Sequence, residues 1–381
     1  MYKKYLTISG GIALLMMNLY STDAFADAQC KPWNPFNDVV NISGNITLGP
    51  DTPNGTILYN IQYYAPGKAG IECSGSTSSS LSVPGKVDYS SHPLPLSSWS
   101  GSGLGGKVYE SGLPGIGVIV TGLTGENNIR GNTFPRQEND FNLPRFSNVY
   151  SVGTGHGYQL WLIKTGPVTP GVINGTSMPS VKAYIDPVRQ LNGLPMTIGR
   201  LSFNGVLNVI SSTCNTPDVN VDLGKHDVSE FKGVGSTTKW IDSSIILNNC
   251  PAFKGYYPGS NSTLYVDGTG GATKGTPTQN VLSVSLSPQT SVVNSSAGTG
   301  IMNIESLGNG SSASGVGIQV GWGNASGSPE PFAFNTTKSI SPPTDGRTSF
   351  TIPLAARYIQ ISQPVSAGVA NGKATFLINY R

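Results

Sequence analysis

The sequence predicts an all-β protein built as two sandwich domains. Three observations lead there. Charged residues make up only 11% of the 381-residue chain, which holds 49 glycines and 27 prolines. Such a composition favours many turns over long helices. Short apolar runs of strand character recur along the chain, separated by Gly, Pro and Ser clusters. The length leaves room for two domains of about 150–200 residues each.

Lys3 and Lys4 precede a mostly apolar run over residues 6–20. Ala24-Phe25-Ala26 follows as a small-x-small cleavage pattern, with Ala26-Asp27-Ala28 as an alternative. Residues 1–26 are therefore expected to be a secretory signal peptide, with Asp27 as the first mature residue. The apolar run is short for a membrane span, and no other stretch approaches one. The mature protein is expected to be exported and soluble. The formal charge of +3 comes without a run of like charges or a basic stripe, which argues against a nucleic-acid partner.

An exported chain with four cysteines is expected to form disulfides. Four cysteines allow three connectivities. Pairing Cys30 with Cys73 and Cys214 with Cys250 gives each half one staple, each contributing about 3 kcal/mol. No Cys-x-x-Cys or nearby Cys–His spacing favours zinc.

In the first half, strand-like pieces fall at 39–42, 57–63, 106–109, 115–121 and 158–164. Two long connections stand between them, and long loops are often functional. Residues 74–105 are serine-rich and include His92 and Trp99. Residues 124–149 include Asn132, Phe134, Arg136, Gln137, Asn139, Asp140 and Phe141. Amide, carboxylate and guanidinium groups offer paired donors and acceptors for sugar hydroxyls. The rings of Trp99, Phe134 and Phe141 suit sugar C–H faces. This mix fits a carbohydrate-binding cleft, and it is equally the composition of a solvated loop.

Residues 186–195 are turn-rich and read as a linker. Strand-like runs follow at 201–210, 218–223, 243–250, 282–286 and 316–320. The chain ends on strict alternation: Ala374, Phe376, Ile378 and Tyr380 face one way, Thr375, Leu377, Asn379 and Arg381 the other. Period two over eight residues reads as a half-buried strand that pins the chain end in a sheet.

This ending resembles that of chaperone–usher pilus subunits, where a glycine stands fourteenth from the end and a tyrosine next to last. Gly368 and Tyr380 occupy those places, and Ala356-Arg357-Tyr358 resembles the preceding strand. The likeness covers roughly residues 196–381 well and the first half in general form. It implies an immunoglobulin-like sandwich lacking its last strand. A periplasmic pilus chaperone, and then the adjacent pilus subunit, would supply that strand by edge addition. Assembly would pass through an outer-membrane usher. Phe376, Ile378 and Tyr380 would line the sheet beside the open groove, and basic residues of the chaperone would read the Arg381 carboxylate.

The mature start at Asp27 lacks a donor strand of alternating residues, so the resemblance is to two-domain tip adhesins of the type 1 fimbrial adhesin family. There an early cysteine pairs with a later one in the same domain, as Cys30 and Cys73 would. The family implies a lectin-like adhesin domain over 27–190 and a pilin domain over 191–381. Its mannose-binding members place acidic and amide residues just after the second cysteine. Residues 74–80 here are serine, glycine and threonine only, so mannose specificity is not implied.

The expected function is that of an exported fimbrial tip adhesin that binds a host or surface glycan non-covalently. The alternative is a structural minor pilin or adaptor whose N-terminal domain binds a protein receptor. An enzyme is not expected. No Gly-x-Ser-x-Gly elbow is present, and Glu126, Glu138 and Asp140 lie in a stretch that fixes no glycosidase spacing. No cofactor is called for. A metal site is not expected; His92 and His156 are the pair that would carry one.

Overall fold

A computed structural model describes residues 28–123, 128–259, 264–267, 272–273, 275–308 and 310–381. The expected signal peptide and Glu126 lie outside the described residues.

The first half forms β1 (Ala28–Trp33), β2 (Phe36–Leu48), β3 (Ile57–Tyr64), β4 (Ala69–Ser74), β5 (Leu81–Ser91), β6 (Tyr109–Glu110), β7 (Ile116–Gly122), β8 (Arg136–Leu143), β9 (Val149–Thr154) and β10 (Gly157–Lys164). It continues with β11 (Gly171–Asn174), β12 (Ser180–Ile185), β13 (Leu191–Asn192) and β14 (Met196–Ser211). The second half adds β15 (Ile241–Asp242), β16 (Ile245–Leu247), β17 (Leu264–Asp267), β18 (Ala272–Thr273), β19 (Leu282–Pro288) and β20 (Ile301–Asn303). It ends with β21 (Val316–Trp322), β22 (Glu330–Pro331), β23 (Thr337–Ile340), β24 (Phe350–Ile352), β25 (Leu354–Gln360) and β26 (Ala374–Tyr380).

Two hydrophobic cores organise these strands. The first lies between a sheet ordered β18-β17-β3-β10-β7-β6 and another ordered β11-β14-β12-β5-β8, with β2 on the other side of β14. A third sheet, β13-β1-β4-β9, adds Ala28, Ile71 and the cystine of Cys30 and Cys73. Strand β10 shows why the sequence folds this way. Its run of aromatic and aliphatic side chains suits a buried strand, and period two splits it between two faces. Leu160 and Leu162 enter the first core, while Trp161 and Ile163 join a satellite cluster with Leu104, Val108 and Ile119. The loop carrying Leu104 and Val108 thus covers the back of the sheet, and both faces of β10 are buried.

The two stretches read as long connections contain strands. Residues 81–91 form β5 and residues 136–143 form its edge partner β8. Their alternation is present but masked: in β8 Phe141 and Leu143 point inward, while Asn142 between them is exposed and the positions before Phe141 are polar. The expected linker is also built into the first core. Leu191 is buried and pairs with Ala28, and Lys86 meets Asp186 at 2.5 Å. Strand β14, expected to open the second half, instead pairs with β2, β11 and β12 and places Leu201, Phe203, Leu207 and Val209 in the first core.

The second core gathers Ile245, Leu247, Leu282, Val284, Ile318, Phe332, Ile352, Leu354 and the cystine of Cys214 and Cys250. Around it stand the sheets β15-β25-β21-β20 and β23-β19-β26 and the pair β16-β24. Residues 218–223 keep the alternation read from the sequence, with Val219, Val221 and Leu223 turned to this core. They form no strand, because no neighbouring chain lies alongside among the described residues.

The halves interlock. Strand β17 adds to β3 in parallel, and Leu264 and Tyr257 belong to the first core. Asn280, only 3% exposed, donates to the Thr47 carbonyl at 2.8 Å and accepts from the Gly255 N–H at 3.0 Å. Removing this amide leaves both backbone groups buried without that partner, which costs far more than a hydrogen bond is worth on average. Asn280→Ala is expected to lower stability by about 2 kcal/mol, read as an earlier urea midpoint with an unchanged slope.

Candidate functional site

Two regions carry the candidate residues. The first lies around β8. Phe141 is 1% exposed and serves the first core, which removes it from any surface cleft. Phe134 packs edge-on against Tyr89 and Tyr158, with ring centroids 5.3 and 6.3 Å apart. Asn132 is buried, donates to the Asn128 carbonyl at 2.9 Å and accepts from the Arg136 guanidinium. Those three side chains therefore brace the fold. Gln137 and Asp140 are exposed on the edge strand, with Gln137 donating to Asp140 at 2.8 Å, and Asn139 is half-buried beside them. Trp99 packs on the satellite cluster at the back of the neighbouring sheet; a side chain at Gly101 would run into its ring.

The two histidines have separate surroundings. His92 is exposed and stacks on Tyr109, centroids 5.1 Å apart. His156 is buried, with Nε2 3.3 Å from the Ala69 carbonyl and Nδ1 3.4 Å from Glu138 Oε2. Burial pushes the nearby Tyr158 phenol well above its ordinary range, and the Glu138 carboxylate adds to that. Among the described residues, no group of three or more His, Cys, Asp or Glu is placed to hold a metal.

A feature not visible in the sequence lies at the other end of β8. Ser80, Leu81, Ser82, Asn142, Leu143, Pro144 and Tyr150 line a shallow groove of about 580 Å³. The Tyr150 ring is braced by Phe146, centroids 6.1 Å apart. Three separate segments build this groove, so no single motif announces it. The serine run after Cys73 is the one local signal.

The second region is the edge of β26. It pairs antiparallel with β19, Leu282 opposite Tyr380 and Pro288 opposite Ala374. Arg381 exchanges both backbone hydrogen bonds with Val281, at 3.0 and 2.8 Å, and the Lys373 carbonyl accepts from the Gln289 N–H. In an antiparallel ladder such pairs alternate with pairs whose backbone groups point away. The N–H and C=O groups of Ala374, Phe376, Ile378 and Tyr380 thus point to the side opposite β19. Among the described residues no strand stands there. The side chains of Ala374, Phe376 and Ile378 are half-buried on the second core, as are Val219 and Val221. Tyr380 is 5% exposed, and its hydroxyl accepts from the Cys214 N–H at 3.3 Å. Gly368 lies flat on the chain at Ser312–Ala313, where a Cβ would stand 2.4 Å from the Ala313 nitrogen. Arg381 is exposed at the end of the ladder.

Comparison with known proteins agrees with this C-terminal architecture. Residues 201–381 match the family model described as Fimbrial protein. Over 186 residues the chain is 30% identical to the fimbrial subunit type 1 of Salmonella typhimurium, covering 48% of this chain and 82% of that one. Among solved structures it is similar to the CupB6 tip adhesin from Pseudomonas aeruginosa, at 17% identity and a TM-score of 0.37, over 93% of this chain and 94% of that one. It is also similar to the receptor binding domain of the MrkD1P adhesin of Klebsiella pneumoniae, at 16% identity and a TM-score of 0.29, over 49% of this chain and 98% of that one. With its terminal strand, its second cystine and the match that runs through both, the chain belongs to the fimbrial protein family.

Proposed function

We propose that this chain is a fimbrial tip adhesin. The first core, with β14 as part of it, is the receptor-binding unit, and the second core is the unit that docks into the pilus by accepting a strand. The observation that carries the reading is the free edge of β26. Outward backbone groups at Ala374, Phe376 and Ile378 have no partner strand among the described residues, beside half-buried apolar side chains. A strand laid there gains backbone hydrogen bonds worth about 1 kcal/mol each and covers apolar surface at about 25 cal/mol per Å². Left open, the same edge invites aggregation. A periplasmic chaperone would cover it first and the adjacent subunit later, with the usher between them on the way to the cell surface.

For the first core the ligand is proposed to be a glycan, held non-covalently in the groove at Ser82, Asn142 and Tyr150. Hydroxyls and an amide beside a braced ring supply hydrogen bonds and a flat apolar face. Gln137, Asn139 and Asp140 lie along the same strand. The shallowness of the groove favours a second reading, an adaptor that presents this face to a protein receptor.

Two outcomes are expected. Deleting residues 374–381 abolishes co-purification with a co-expressed fimbrial chaperone; a complex that survives the deletion overturns the docking assignment. On a glycan array the full chain gives a saturable hit that Asn142→Ala and Tyr150→Ala each weaken roughly tenfold. An empty array from well-folded protein transfers the assignment to a protein receptor.

A further inference from the structure

The free edge of β26 does not run to the end of the strand. At the last outward-facing position the Tyr380 N–H donates to Asp51 Oδ2 at 2.9 Å. Asp51 belongs to the first half of the chain, in the turn between β2 and β3. That turn is closed by the Thr52 N–H donating to the Gly49 carbonyl at 3.2 Å, with Pro50 and Asp51 at its corners, as turn preferences favour. Gly49 sits directly against the Tyr380 carbonyl: a Cβ there would stand 1.9 Å from that oxygen. Both backbone groups of Tyr380 that face the open side are therefore covered by this turn.

The turn is firmly placed. Thr47, just before it, donates its N–H to the Gly255 carbonyl at 2.9 Å and its hydroxyl to the Ala252 carbonyl at 2.7 Å. The same hydroxyl accepts from the Lys254 N–H at 3.0 Å, and the Thr47 carbonyl accepts from Asn280. Lys164, whose amine burial pushes below its ordinary range, has Asp51 as the charge that offsets this. Asp51 is thus held by a network spanning both halves.

We propose that Asp51 is a stop for strand addition. A complementing strand from another polypeptide pairs at Ala374, Phe376 and Ile378 and ends there. Its next carbonyl would have to replace a carboxylate already bonded to the Tyr380 N–H, against the charge of that carboxylate and the backbone of Gly49. The first half thereby sets the register and the end point of whatever strand occupies the second. The inference rests on the strand-docking reading above and adds to it a specificity-determining residue.

The test uses the full chain and fluorescent alternating Thr/Val peptides of five, seven and nine residues, titrated by polarisation. With the wild type, affinity rises from the shortest to the middle peptide and then stays flat. With Asp51→Ala the Tyr380 N–H is uncovered while Gly49 still covers the carbonyl, and the one added hydrogen bond gives the longest peptide roughly a fivefold gain over the middle one. Asp51→Asn still offers an acceptor oxygen and behaves as the wild type. An equal gain at the longest peptide in wild type and Asp51→Ala, or no gain in Asp51→Ala, overturns the stop. A second readout is independent of any peptide: hydrogen exchange at the Tyr380 amide is slow in the wild type and at least tenfold faster in Asp51→Ala. Equal exchange rates overturn the stop. Failure of every peptide to bind either protein, with the exchange difference intact, overturns the docking reading and leaves the Asp51 cap standing.

Discussion

A strand has two hydrogen-bonding sides, and among the described residues β26 has a strand partner on only one of them. The rest of the second core follows from that deficit. β19 takes one side, and the half-buried face of β26 needs a neighbour that the described residues do not provide. The segment at 218–223 shows the same deficit from across the core. Its valines keep the spacing of a strand and reach the core, yet among the described residues no strand pairs with it. Both segments pack side chains on the same core, and the open side of β26 is an unpaired edge of the kind that strand addition uses.

The two cores are not beads on a string. Strand β14 leads out of the first core toward Cys214, while β17 returns from the second half to pair with β3. Asn280 then ties Thr47 to Gly255, so a single buried amide couples the end of β2 to backbone of the second half. Such a junction opposes free rotation between the units. It is built mostly from backbone pairing, the Asn280 amide and the Thr47 hydroxyl, with the Asp51 carboxylate as its one charged contact described above, so salt should weaken it little.

Much of this was legible in the sequence. The terminal alternation located β26 and its buried face, and the preferred cysteine pairing is the one formed. The strongly apolar strands β3, β7 and β10 were equally plain. What stayed hidden was polar or non-local. β8 carries an amide, an acid or an arginine at most positions, and Phe141 among them reads as a surface aromatic until its burial is seen. Residues 186–195 have linker composition but are fixed by Leu191, and one buried leucine in a turn-rich stretch gives no periodic signal. The parallel pairing of β2 with β14 and of β3 with β17 leaves no local trace at all, because parallel neighbours need long connections. The groove beside Tyr150 is hidden because three segments distant in sequence build it.

That non-local pairing has a consequence for the order of folding. Asn45 and Asn208, joined across β2 and β14, are 163 residues apart, and Thr47 and Asn280 are 233 apart. Closing such loops costs entropy before any contact rewards it, so topologies of this kind fold slowly. The first core cannot be completed until the chain has reached Leu264. An N-terminal unit usually folds first as a chain emerges. Here it must wait for residues far into the second half, and its unpaired strands stay exposed over that interval.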